Sequence, residues 1–184
     1  MVGATNDEVK EGLSAHAERR CEGRKLWFAD SHASSIRIDL RVKEPHQLVY
    51  LARLLAALGH AEAHFSHAYL WLTTWGVWDP KTEAVSFKTF EQFRRSHGEN
   101  RSIESAPGTY FSNELVESVC CLLQPMLVGW DAYYVPSWAC GGLDYFVAVS
   151  HDGFIDIEVR TPEMHNEATA ILQGHDWIKP LLRI

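Results

Sequence analysis

Residues 142–160, GLDYFVAVSHDGFIDIEVR, place two runs rich in β-branched and aromatic residues on either side of Asp152-Gly153. That dipeptide is well suited to a two-residue hairpin turn, whose backbone needs the positive φ that Asp tolerates and Gly adopts freely. With Asp152 and Gly153 as the turn, His151 faces Phe154, Ser150 faces Ile155, Ala148 faces Ile157 and Phe146 faces Val159. The even-numbered residues of the first strand then meet apolar partners and form the core face. The opposite face pairs Val149 with Asp156, Val147 with Glu158 and Tyr145 with Arg160, an amphipathic surface open to solvent, a partner or a ligand.

Outward from this hairpin, Thr161-Pro162-Glu163 starts a helix: Thr caps it, Pro takes its first position and an acid its first turn. Upstream, Trp130 to Val135 reads as a strand and residues 136–142 as a loop. Ser112 can cap a helix whose positions Leu115, Val119, Leu122 and Val116, Cys120, Leu123 make a wide apolar face, so it reads as buried, with Pro125 ending or kinking it.

Earlier still, residues 35–42 alternate apolar with polar, the period of a half-buried strand. Glu44-Pro45 opens a helix with a leucine stripe (Leu48, Leu51, Leu55, Leu58) that ends at Gly59. Residues 68–78, AYLWLTTWGVW, read as a strand, and Phe87, Phe90 and Phe93 mark a short helix near residues 86–96. Residues 96–109 form a connection longer than a compact domain needs, the kind that often carries function. Residues 1–25 hold a thin apolar stripe and read as a loosely docked helix or tail. The order β, α, β, α, α, β, β, β, α predicts a single α+β domain over residues 1–184. Its mixed or antiparallel sheet has about five strands, a C-terminal antiparallel meander and helices packed mainly on one face. The crossover through the leucine-rich helix predicts that the first two strands run parallel.

The chain has 184 residues, 46% of them hydrophobic and 22% charged, a globular composition that is neither disordered nor membranous. Its net charge of −7 opposes general attraction to nucleic acid or anionic membrane, which demand positive charge, and favours a basic or neutral protein partner. Cys21, Cys120, Cys121 and Cys140 contain no CxxC pair, and the first thirty residues lack the apolar stretch of a secretory signal. Free thiols in a reducing cytoplasm are the simplest expectation. Neither GxGxxG nor GxxxxGK[ST] occurs, so no nucleotide cofactor is implied, and none of another kind is expected.

Three sets of residues are candidates for chemistry. His60, His64 and His67, in HAEAHFSH, would share one face of a continuous helix and could then hold zinc. Gly59 ends the preceding helix, however, and the acid of HExxH is missing, so no metal site is expected. Ser150-His151-Asp152 spells a hydrolase triad, but adjacent strand residues project to opposite sides and cannot form a relay. His151 remains a catalytic candidate with groups brought from elsewhere. Cys140, in a glycine-rich loop within reach of His151 across the hairpin, is the best nucleophile candidate, though no basic neighbour or helix start lowers its pKa.

The aromatic residues point instead to binding. Trp71, Trp75, Trp78, Trp130, Trp138, Tyr133 and Tyr134 crowd in or beside strands, and helices on one face of a sheet leave some of these rings exposed. The expected binding residues are Trp130, Asp131, Tyr133, Tyr145, Glu158 and Arg160 on the outward strand face, with Arg101 in the long loop. The reading is therefore a non-enzymatic protein-binding module, of the inhibitor or immunity kind. The alternative is a small hydrolase using His151 or Cys140, metal-assisted through the histidine group.

Overall fold

In the computed structural model the described residues are 2–14, 19–29, 32–40, 44–59, 65–74, 80–111, 115–138, 143–176, 178 and 180–182. In chain order the elements are β1 (Val2–Ala4), α1 (Asn6–Ser14), β2 (Arg19–Glu22), β3 (Lys25–Phe28), β4 (Ser34–Asp39), α2 (Pro45–Ala56) and β5 (Phe65–Thr74). There follow α3 (Pro80–Ser96), β6 (Gly108–Phe111), α4 (Leu115–Val128), β7 (Asp131–Trp138), β8 (Tyr145–Ser150), β9 (Phe154–Val159), α5 (Pro162–Gln173) and β10 (Pro180–Leu182). The architecture is α+β. An eight-stranded sheet of order β1-β6-β5-β7-β8-β9-β4-β10 is built entirely from antiparallel pairs, and β2-β3 forms a separate hairpin.

The expected five strands thus become a wider sheet. The additions β1, β6 and β10 are three or four residues long, too short to show a period. The meander β7-β8-β9 is present. β4 and β5, the expected parallel pair, do run in the same direction, because four antiparallel steps separate them, but three strands lie between them. Strand β7 also continues through Pro136 into the expected loop. Pro136 pairs only toward β5, beyond the last residue bonded to β8, where its missing N–H costs no ladder bond on that side.

The central hairpin turns in three residues, not two. Ser150 pairs with Phe154, the Gly153 amide donates to the Ser150 carbonyl at 3.1 Å, and Gly153 has φ +81°. The extra loop residue moves the register by one and exchanges the faces. Tyr145 now faces Val159, Val147 faces Ile157 and Val149 faces Ile155, all in the main core. The physical reason lies in β9, where Ile155, Ile157 and Val159 alternate with Asp156 and Glu158. A three-residue turn sets that apolar row against an apolar row on β8.

Helices α2, α3, α4 and α5 cover this face through Leu51, Leu55, Phe90, Leu122, Met126, Ala168 and Leu172. α2 ends against the sheet: the Tyr145 hydroxyl donates to the Leu55 carbonyl (2.5 Å) and accepts from the Leu58 amide (3.0 Å), while the Tyr134 hydroxyl donates to the Ala56 carbonyl (2.9 Å). Two strand tyrosines thereby satisfy carbonyls that a helix end leaves open. Burial holds both phenols protonated, with their pKa values raised.

The second face carries a smaller core of Trp71, Val135 and Phe146 beneath α1 and the β2-β3 hairpin. Val9 and Leu13 of α1 are fully buried, Trp71 Nε1 donates to Asn6 Oδ1 at 2.8 Å, and Arg24 donates to the Thr73 carbonyl. The N-terminal segment is therefore an integral cover of the sheet, not a loose tail. α4 runs on through Pro125, which therefore does not end it; its buried described residues are Ser118, Cys121, Leu122, Pro125 and Met126, while Val116, Cys120 and Leu127 are exposed.

Candidate functional site

The sheet register brings Asp131, the first residue of β7, beside His151, the first residue of the β8-β9 turn. Ala132 pairs with Val149, so the next step along each strand sets Asp131 opposite Ser150, and its carboxylate reaches diagonally to His151, one residue further on. Asp131 Oδ1 accepts both the His151 amide and Nδ1 at 2.8 Å, and Oδ2 lies 2.9 Å from Nδ1. An ionised Asp131 fixes the imidazole with its proton on Nδ1 and makes Nε2 the basic atom, as a general base requires. Nε2 lies 3.6 Å from Asp152 Oδ1 at the exposed rim. Because the same carboxylate also holds the backbone of the turn, the pair has a structural role whatever its chemistry.

The other catalytic and metal candidates are less informative. Cys140, His60 and His64 lie outside the described residues. His67, on β5, packs against the rings of Tyr69 and Tyr110, with centroids at 5.8 and 5.5 Å. Among the described residues no group of three or more His, Cys, Asp or Glu is arranged to hold a metal ion.

The expected binding residues divide between the two faces. Trp130 is buried in the main core against the edges of Phe87 and Phe90, and Tyr145 is fully buried at the end of α2, so neither can meet a partner. Tyr133 belongs to the second face but packs between Trp71 and Phe146 under the N-terminal cover. Asp131 is committed to His151. Arg101 donates to the Gly3 carbonyl at 2.6 Å and pairs with Glu99 at 2.9 Å. Its loop is a packed support, with Ile103 and Ala106 fully buried and Arg94 donating to the Ala106 carbonyl at 2.6 Å.

Glu158 and Arg160 are half-buried at the β4-β9 end of the sheet, beyond the part of the second face that α1 covers. Here the residues pair Ser35 with Glu158, Arg37 with Asp156 and Asp39 with Phe154. The Arg37 guanidinium forms a two-pronged pair with Asp156 (2.7 and 2.6 Å) and lies 3.6 Å over the Phe154 ring. The Asp156 hydrogen bonds push the Arg37 pKa upward, so the cation persists throughout the useful pH range. Charges of both signs and an aromatic ring are therefore held in one half-buried plane. Sequence reasoning missed Arg37, Phe154 and Asp156 because finding them requires β4 to be known as the neighbour of β9. It also missed Trp27, which is 40% exposed on the outer side of β3.

No protein-family model, curated protein or solved structure matches the chain. No described helix is long and apolar enough to cross a membrane.

Proposed function

We propose that this protein is a non-enzymatic binding module of the inhibitor or immunity kind, acting in the cytoplasm on a basic or neutral protein. The observation that carries the reading is the half-buried β4-β9 surface, where Asp39, Asp156 and Glu158 accompany Arg37, Phe154 and Arg160. Arg37 is held by both a carboxylate and a ring, so ordering it on association costs little side-chain entropy. The excess of carboxylates over guanidiniums favours electrostatic encounter with a basic partner, in keeping with the net charge of −7. Once a partner is captured, Glu158→Lys and Phe154→Ala should each weaken its affinity by about tenfold or more while the protein stays folded. Unchanged affinity in both variants overturns the reading.

The Asp131–His151 pair favours a second reading, a small hydrolase with His151 as general base. Its test is turnover of a panel of ester and amide substrates. Hydrolysis abolished by His151→Ala in a folded protein, with no effect of Glu158→Lys, supports the hydrolase over the binding module.

A further inference from the structure

Helix α4 has one charged residue among fourteen, Glu117, yet it is apolar on the side turned away from the sheet as well. Val116 is 75% exposed, Leu127 is 47% exposed, Cys120 is exposed and Leu123 is half-buried. A helix that is apolar all round belongs in an interior, and this one has an interior on one side only. The exposed positions 116, 120 and 127, with the half-buried Leu123 that also touches the main core, follow steps of four, three and four, the spacing of a coiled-coil seam. That spacing calls for another helix as the occupant.

We infer that the α4 seam is a self-association surface on which the same helix of a second copy packs antiparallel about a twofold axis. The seam is its own complement in that direction. With the axis midway between Cys121 and Leu122, Val116 meets Leu127 of the other copy and Cys120 meets Leu123. Position 117 then lies opposite position 126, so the two Glu117 backbone positions are separated by about 13 Å along the helix axis. A parallel pairing would set the two Glu117 positions side by side. Charge favours this surface too: in a chain of net charge −7, an almost uncharged stripe is where two copies approach with least repulsion. A basic partner has no carboxylate-rich surface to meet here, which separates this face from the β4-β9 surface.

Sedimentation velocity across a concentration series on the whole protein tests the inference. The expected result is a reversible dimer that Val116→Glu/Leu127→Glu converts to monomer with an unchanged circular dichroism spectrum and the melting temperature that the native protein shows when diluted to monomer. Both substituted side chains are exposed, so the fold should tolerate them. In the Val116→Cys/Leu127→Cys variant, the thiol introduced at position 116 of one copy meets that at position 127 of the other, while within one chain the two lie about 16 Å apart along the helix and cannot join. Oxidised glutathione should accept two electrons and two protons from that pair, leaving an intermolecular disulfide and two reduced glutathiones. Val116→Cys alone should give no such covalent dimer, because its thiol then faces Leu127 of the other copy. A wild-type protein monomeric at every concentration, or a dimer indifferent to the double substitution, overturns the seam as the interface. A dimer without the crosslink overturns its antiparallel register.

Discussion

Tyr145→Phe removes one oxygen from the interior and leaves the packing volume nearly intact. That oxygen serves two buried backbone groups at the end of α2, donating to the Leu55 carbonyl at 2.5 Å and accepting the Leu58 amide at 3.0 Å. Tyr145 has no exposed surface, so water cannot replace either bond without opening the core. A typical buried hydrogen bond contributes about 1 kcal/mol net, and an orphaned buried donor or acceptor costs about 1 to 3 kcal/mol. Some relaxation at the helix end offsets part of this, so the expected loss is about 2 to 4 kcal/mol. Urea unfolding followed by circular dichroism reads it as a lower midpoint with an unchanged slope. Tyr50→Phe, at an exposed site on the same helix, is the control and should shift stability by less than about 0.5 kcal/mol. If Tyr145→Phe behaves like Tyr50→Phe, the Tyr145 hydroxyl does not close α2 and the odd-numbered face of β8 is not the core face.

Three further outcomes are expected. Gly153→Val should cost about 1 to 3 kcal/mol, because φ is +81° at the third turn residue and a β-branched side chain strains there; an unchanged unfolding midpoint contradicts the assigned turn. The hydrogen bonds from Arg101 hold the Glu99 carboxyl near a pKa of about 2, below its ordinary 4.5, so its stabilising contribution is complete above pH 4.5 and is lost as pH falls toward 2. Glu99→Gln should flatten the stability profile across that window, and parallel profiles for the two proteins would refute the assignment. Protein purified without chelator should contain no stoichiometric zinc by elemental analysis; one tightly held zinc per chain, lost in His60→Ala/His64→Ala, contradicts this.

Much of the secondary structure was legible because it is written locally. The Pro45 start and leucine stripe of α2, and the Thr161-Pro162 start of α5, need only neighbours in the chain. The Thr161 hydroxyl does accept the Met164 amide, at 3.3 Å. Register was not local. Asp152-Gly153 fits a two-residue turn as well as a three-residue one, and only the apolar row of β9 set against β8 decides between them. That single step reversed the assignment of Tyr145 and hid the fact that Phe146 belongs to a second core under α1 and β2-β3. The candidate sites suffered for the same reason. Glu158 and Arg160 were found as outward residues, but Arg37 joins them only through the β4-β9 pairing, and Asp131 meets His151 only through β7-β8. α4 misled differently: its apolar residues encircle the helix, so composition predicts burial on every side, whereas the sheet, α2 and α3 leave Val116, Cys120 and Leu127 exposed.

The central proposal is that a protein partner docks on the half-buried β4-β9 surface. Side-chain footprinting with hydroxyl radicals, on the protein alone and with its captured partner, tests it most directly. Phe154 is half-buried beneath Arg37 in the free protein and reacts readily when accessible. Complex formation should protect Phe154 while leaving His151 and Val116 unchanged. Protection confined to His151 or Val116, with Phe154 oxidised at its free rate, would contradict it.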